Sequence, residues 1–155
     1  MWTQARFSSI AFALLLFGLG AASLATAQNK VCTEDQEKKA SSDVDRLKDW
    51  PTLYRSFREF VPQCDDGEIA EGYSDAVAKL LANHWKELPA LVRLVTSDPA
   101  FKRFVLRHID ATISADDLTQ IDANARLRCP SNGKHLCSLI AAEAKTSLKE
   151  IANPR

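Results

Sequence analysis

Apolar residues recur at helical spacing along most of the chain that follows residue 30. The clearest stretch is residues 64–85, where apolar positions three and four apart fall on one face and charged residues fall on the other. This pattern predicts an amphipathic α-helix, which we expect to be the central helix of the fold. Its apolar face contains Ile69, Tyr73, Ala76, Val77, Leu80, Leu81 and His84.

The same periodicity predicts further helices on both sides of this stretch. The first, residues 31–48, is mostly charged and should lie on the surface, and residues 61–63 should form a linker. Alternation at period two is missing, so no sheet is predicted, and short connections favour antiparallel neighbours. We therefore expect an all-α fold, a small irregular bundle of about six to seven short helices. They should begin near Val31, Trp50, Asp65, Pro89, Pro99, Ser114 and Lys134.

Several helix starts carry capping signals. Thr33 with Gln36 and Ser114 with Asp117 have the spacing of a capping box, and Asp65 with Glu68 should cap the central helix. Ser97-Asp98 should cap the helix that has Pro99 at its first position. Within that helix Gly72 costs about 1 kcal/mol relative to alanine. We expect this glycine to allow close approach of another helix.

Residues 1–27 have the organisation of a secretory signal peptide. One positive charge, Arg6, precedes an apolar run, and an Ala-x-Ala site ends at Ala27. Cleavage after Ala27 would leave residues 28–155 as a single helical domain in a periplasmic or secreted location. The alternative is a retained membrane anchor, although the apolar run is shorter than the roughly 18 residues that an anchor needs.

The charge balance bears on the choice of partner. The full chain has 20 Lys and Arg and 20 Asp and Glu residues, so loss of Arg6 with the leader would give a net charge of about −1. Because no basic excess is available to neutralise phosphates, we do not expect a nucleic-acid partner. Nor is there a second long apolar run, so no membrane contact is expected after cleavage.

All four cysteines, Cys32, Cys64, Cys129 and Cys137, follow the predicted leader. An even number of cysteines behind an export signal indicates two disulfides. Three pairings are possible; we favour Cys32–Cys64 and Cys129–Cys137. A four-cysteine metal site is the alternative, but the close Cys-x-x-Cys spacing typical of zinc sites is missing.

Histidines supply the few candidates for chemistry. His84 and His108 lie on apolar faces near helix ends, where they could meet and, with Asp75 or Asp110, bind a metal or act as an acid–base pair. The alternative is that each packs at the edge of the core, and His135 should simply be exposed. No catalytic motif is present, so we expect no enzyme, cofactor or resident metal.

The aromatic segment around residues 50–60 also permits two interpretations. Its rings have the spacing of core residues, but tryptophan and tyrosine carry polar tips that tolerate water. We therefore name Trp50, Tyr54 and Trp85 as candidates for an exposed patch that binds another protein.

One short segment gives a resemblance to a known family. Cys64 followed by EGYSDAV at residues 71–77 resembles the cysteine and G-Y-x-x-[GA]-V/A helix of the Rap/Tai class, and residues 94–109 followed by Cys129-Pro130 are more distantly similar. Those proteins are periplasmic immunity partners of type VI secretion effectors that attack peptidoglycan. The resemblance covers about a fifth of the chain and implies inhibition of a partner enzyme, without assigning inhibitory residues.

Taken together, the patterns predict an exported, non-enzymatic helical protein that acts by binding another protein, with an immunity or inhibitor role as its specific form. A metal-handling module that uses His84 and His108, and a hydrolase of unrecognised type, are the alternatives. The sequence does not assign the partner.

Overall fold

Seven α-helices and two short 3-10 turns make up the chain in a computed structural model that describes residues 31–154. This part of the chain contains no strand, which confirms the predicted all-α fold. The helices are α1 (Glu34–Val44), α2 (Trp50–Cys64), α3 (Gly67–Asn83), α4 (Leu88–Ser97), α5 (Pro99–Arg107), α6 (Ala115–Leu127) and α7 (Lys134–Ala152). The predicted leader lies outside the described residues.

Helix α3 is central, as its sequence predicts. It packs against α1, α2 and α6, while α6 and α7 form an extensive antiparallel pair. The buried hydrophobic residues form one core. At one end of this core, Phe57, Tyr73, Phe101 and Phe104 form an aromatic cluster with neighbouring ring centroids 5.1–5.9 Å apart.

The helix starts confirm most of the predicted caps. Thr33 and Gln36 form a capping box at α1, the carboxylate of Asp98 accepts from two backbone N–H groups of α5, and Ser114 accepts from the Asp117 N–H. The cap of α3 was predicted wrongly. Asp66 occupies that position, and Asp65 turns toward other partners.

Two helix boundaries also differ from the prediction. α1 ends at Val44 rather than at residue 48. Residues 61–63 are not a linker, because α2 continues through Pro62 to Cys64. Proline removes one backbone donor inside a helix, but Phe60 and Cys64 are buried on either side of Pro62 and hold the last turn in place.

Both favoured cysteine pairings are confirmed. Cys32–Cys64 joins the start of α1 to the end of α2, and Cys129–Cys137 closes the connection between α6 and α7. No helix in residues 31–154 is long and apolar enough to cross a membrane.

Gly72 lies where α1 comes closest to α3, as expected. A Cβ atom built at Gly72 would be 2.4 Å from Cγ1 of Val44, well inside van der Waals contact. Valine is stiff about χ1 and cannot easily turn aside. The absence of a side chain at Gly72 therefore permits α1 to pack onto the central helix.

We predict that Gly72→Ala lowers the free energy of unfolding by about 1 kcal/mol, and Gly72→Leu by about 1–3 kcal/mol, because overpacking outweighs the gain in helix propensity. Urea denaturation of residues 28–155 measures this. In a Val44→Ala background both Cγ atoms are removed and only Cβ remains, 3.3 Å from the added atom, so Gly72→Ala should lose most of its cost and stabilise by up to about 1 kcal/mol. Equal stabilisation in both backgrounds would show that the close approach carries no energy.

Candidate functional site

A polar network lies inside the bundle, beneath the aromatic cluster. Ser74 projects from the middle of α3 and His108 ends α5; the two residues are only 2% and 3% exposed. The hydroxyl of Ser74 lies 2.9 Å from Nδ1 of His108. The ring of His108 also packs on Phe104, with centroids 4.4 Å apart. These contacts fix the imidazole between the two helices.

Asp65 faces the other nitrogen of the same ring. Its Oδ1 lies 3.1 Å from Nε2 of His108. The contact is poorly aligned for a hydrogen bond, and neither atom has another hydrogen-bond partner in the described part of the chain. Oδ2 of Asp65 accepts from the guanidinium of Arg107. Asp65 therefore connects the α2–α3 junction to the end of α5.

Asp110 completes the network from the loop after α5. Its Oδ2 accepts from the hydroxyl of Ser74 at 2.8 Å, and its Oδ1 accepts from the backbone N–H of Thr112 at 2.8 Å. The next buried polar contact is separate: Ser147 of α7 donates to the carbonyl of Ile109 at 2.8 Å. Helices α3, α5 and α7 are thus joined around one loop.

The donors and acceptors determine where the protons lie. A hydroxyl has one proton, and the ionised carboxylate of Asp110 can only accept, so Ser74 donates to Asp110. Ser74 must then accept from an N–H at Nδ1 of His108, while Nε2 faces the carboxylate of Asp65. Nδ1 of His108 is thus engaged with Ser74, whereas Nε2 faces Oδ1 of Asp65 without an aligned hydrogen bond.

The charges around Asp65 influence its titration. Burial alone would raise the pKa of Asp65, but the contact with His108 and the positive charge of Arg107 outweigh burial and lower the pKa below its ordinary value of 3.8. Close by, burial raises the pKa of Tyr73 to about 12, and its hydroxyl lies 3.0 Å from that of Ser56. Tyr73 is therefore neutral at physiological pH.

Serine, histidine and aspartate are the residue types of a hydrolytic triad, but this arrangement differs from one. In a triad the serine donates to a neutral histidine whose other nitrogen is oriented by the aspartate. Here Ser74 donates to Asp110 instead, and its hydroxyl is enclosed by packed helices. The geometry suits a structural cross-link between helices.

The structure places the two candidate histidines in different surroundings. His84 ends α3, is exposed, and lies 3.8 Å from Glu87. It is ten residues beyond Ser74, the partner of His108, which corresponds to about 15 Å along the helix axis. Residues 31–154 contain no group of three His, Cys, Asp or Glu side chains placed to hold a metal ion. His135 is exposed.

The expected exposed aromatic patch is wrong for two of its three members. Trp50 and Trp85 are 1% and 8% exposed, because both rings fill the core beside α2 and α3. Nε1 of Trp85 donates to the carbonyl of Arg128 at 2.9 Å. Tyr54 is half-buried, and its hydroxyl donates to Asp98 at 3.1 Å. The polar tips of Trp85 and Tyr54 thus make internal contacts, whereas Nε1 of Trp50 is buried without a hydrogen-bond partner among the described residues.

The exposed apolar side chain of interest lies elsewhere, at the end of α6. Leu127 is 83% exposed and stands between Arg126 and Arg128; we refer to these three residues as the Leu127 ridge. Arg126 is paired through Nε with both oxygens of Asp122 at 2.7 and 2.8 Å. The guanidinium of Arg128 donates to Asn124 at 3.2 Å.

Buried contacts hold the Leu127 ridge in place. The side-chain amide of Asn124 donates to the carbonyls of Leu81 and Ala82 at 3.0 and 2.9 Å, and Trp85 holds the backbone at Arg128. A groove of about 490 Å³ lies beside the ridge, between α3 and α6. The groove is lined by Ala82, Asn83, Gln120, Ala123, Asn124, Leu127 and Arg128.

Comparison of the chain with protein-family models, with curated proteins and with solved structures finds no match. The resemblance to the Rap/Tai class therefore stays a prediction.

Sequence reasoning overlooked Asp65, Ser74 and Leu127 as site residues. Ser74 is next to Tyr73 on the apolar face of α3, and a serine there is a signal of a buried hydrogen bond. Asp65 and Asp66 can both cap a helix, and the sequence pattern does not show which of the two does so. For Leu127 the available signal was an apolar residue flanked by two arginines just before a cysteine.

We predict that Asp65→Asn lowers the free energy of unfolding at pH 7 by about 3 kcal/mol, because it leaves His108 buried without its anionic partner. A lowered folded-state pKa means that the contribution of Asp65 is complete above its unfolded value of 3.8 and is lost as the pH falls through the folded value. The difference between wild type and variant should therefore shrink on acidification. Urea denaturation at a series of pH values measures it.

The matched control is Asp75→Asn, which removes an exposed carboxylate paired with Lys79 on the same helix. It should cost no more than about 1 kcal/mol. If the free energies of unfolding of wild type and Asp65→Asn changed in parallel over the series of pH values, Asp65 would not be held as an ion in the folded protein.

Proposed function

We propose that this chain is an exported, non-enzymatic protein that acts by binding another protein through the Leu127 ridge. The observation that carries the proposal is the ridge itself. A large apolar side chain at 83% exposure lies between two arginines, a residue type that is enriched in interface hot spots.

The support of the backbone beneath the Leu127 ridge favours this role. A backbone that is already held in its bound position loses little conformational entropy when a partner binds. Asn124 and Trp85 provide that support from beneath α6. A partner with an apolar pocket surrounded by acidic residues would match both Leu127 and its flanking arginines.

The interior supports a non-enzymatic role. Ser74 and His108 have the residue types of catalytic groups, but their polar atoms face one another and the two aspartates. A substrate would have to displace packed helices to reach either of them. Their chemistry is therefore used to hold α3 and α5 together.

The disulfides support export. Two bridges persist in an oxidising compartment, and cytosolic thiols are ordinarily kept reduced. Cleavage after Ala27 and a periplasmic or secreted location form part of the proposal.

The specific form of the proposal is the immunity or inhibitor role implied by the segment at residues 71–77. In this form the bound partner is an enzyme that loses activity.

The test begins with purified residues 28–155 as bait for periplasmic and secreted proteins, followed by titration of each purified candidate partner. We predict that Leu127→Asp weakens binding by at least about 2 kcal/mol, roughly thirtyfold in Kd. Ile151→Asp, which changes an exposed apolar residue near the end of α7, should leave binding unchanged. Stoichiometric loss of partner activity would support the inhibitor role.

Two results would contradict the proposal. A partner whose affinity is the same for wild type and Leu127→Asp would remove the ridge as the binding surface. If no protein binds stoichiometrically from either fraction, the binding function itself fails.

A further inference from the structure

The two disulfides have the same burial but opposite electrostatic surroundings. In each bridge one cysteine is buried, Cys64 or Cys137, and the other is half-buried, Cys32 or Cys129. Each bridge also lines an open surface groove, of about 550 Å³ for Cys32–Cys64 and 460 Å³ for Cys129–Cys137. The approach of a reagent should therefore differ mainly through charge.

Positive side chains surround the Cys129–Cys137 groove. Within the part of the chain that the structure describes, its lining includes Arg126, Lys134 and Lys145 and no carboxylate. Asp122 offsets part of the charge of Arg126, whereas neither lysine forms a salt bridge within the described part of the chain. The remaining lining residues are small: Ala125, Ser138, Ala141 and Ala142.

Negative side chains surround the Cys32–Cys64 groove. Among residues 31–154 its lining includes Glu37, Asp66 and Glu68 and no lysine or arginine. The two buried cysteines, which would become thiolates when the bridges open, also differ in their electrostatic surroundings. Cys137 lies in the first turn of α7, whereas Cys64 is the last residue of α2. A thiolate is favoured at the positive end of a helix and disfavoured at the negative end.

We propose that Cys129–Cys137 is a site of thiol–disulfide exchange that takes a small anionic thiol, while Cys32–Cys64 is a structural bridge that excludes such a thiol. The inference goes beyond the proposed binding function and does not depend on it. It rests on the groove, its three cations and the contrast with the second bridge.

The exchange step follows from the geometry. The thiolate of the small molecule attacks Sγ of Cys129, which is the less buried sulfur. The bond between the two protein sulfurs breaks as the new sulfur–sulfur bond forms, and the electron pair goes to Sγ of Cys137. The products are a mixed disulfide at Cys129 and a thiolate at Cys137, which the nearby cations stabilise.

The test compares the two bridges inside the same protein molecule. Oxidised residues 28–155 are treated with 2-mercaptoethanesulfonate, 2-mercaptoethanol or cysteamine, which carry a negative, neutral or positive tail. Released cysteines are alkylated at intervals and assigned by peptide mass spectrometry. The ratio of the two reaction rates cancels the intrinsic reactivity of each thiol, so the change in this ratio from one thiol to another reports the local charge.

We predict that Cys129–Cys137 reacts first with the anionic thiol, and that the rate ratio falls about tenfold from the anionic to the cationic thiol at low salt, as expected for two or three cations acting across water. Raising the salt concentration to 0.5 M should bring the three ratios together. Equal ratios for the three thiols, or earlier reaction of Cys32–Cys64 with the anionic thiol, would overturn the inference.

Charge variants separate this effect from simple accessibility. Lys134→Gln and Lys145→Gln should each lower the ratio for the anionic thiol and leave the ratio for the neutral thiol nearly unchanged. Lys149→Gln is the matched control, since it removes an exposed lysine of α7 that does not line the groove. An equal effect of all three substitutions would show that the groove has no specific role.

Discussion

The contact between Asp65 and His108 is the constraint on which this arrangement of helices depends. Asp65 is the middle one of three consecutive residues, and each of the three makes a different kind of connection. Cys64 is bonded to Cys32 ahead of α1, Asp65 faces the end of α5, and Asp66 caps α3. Four helices are therefore held at one short junction, and a shift of any one of them would disturb the other three.

The buried charges at this junction carry a desolvation cost. A carboxylate removed from water is tolerated only when it is paired and when its remaining acceptors are used. The second carboxylate, Asp110, meets this need through Ser74, and Arg107 covers the outer oxygen of Asp65. The chain keeps this network where apolar side chains would also fill the space. The network favours one registration of α5 against α3, because Ser74 must reach both His108 and Asp110 at once.

The sequence predicts the local features well and the network poorly. The features that are predicted correctly depend on residues near one another or on simple counting. They are the helix periodicity, the capping residues Thr33, Asp98 and Ser114, the favoured cysteine pairings and the close approach at Gly72. Asp65 and His108 are 43 residues apart, and Ser74 and His108 are 34 apart. Pairing over such distances depends on how helices dock, and the periodicity of a single helix carries no information about that.

The buried tryptophans show that the sequence also predicts poorly which large side chains are exposed. An amphipathic pattern identifies the inward face of each helix, but Trp50 and Trp85 follow helix boundaries, where periodicity no longer distinguishes inside from outside. Leu127 presents the converse case, since it ends α6 and its exposure depends on where the α6–α7 connection turns. At helix ends, tertiary packing decides which apolar side chains reach the core.

Net charge, finally, conceals how charge is distributed over this molecule. The full chain has equal numbers of acidic and basic side chains, yet the two disulfide grooves are lined by residues of opposite sign. Because exposed charges are screened within about 8–10 Å at physiological ionic strength, a thiol or a partner protein responds to the groove it enters rather than to the total. The acidic groove lies where α1, α2 and α3 meet, and the basic one lies between α6 and α7. Helices α1 to α3 and helices α6 and α7 therefore give one nearly neutral molecule two grooves, one lined by negative charge and one by positive charge.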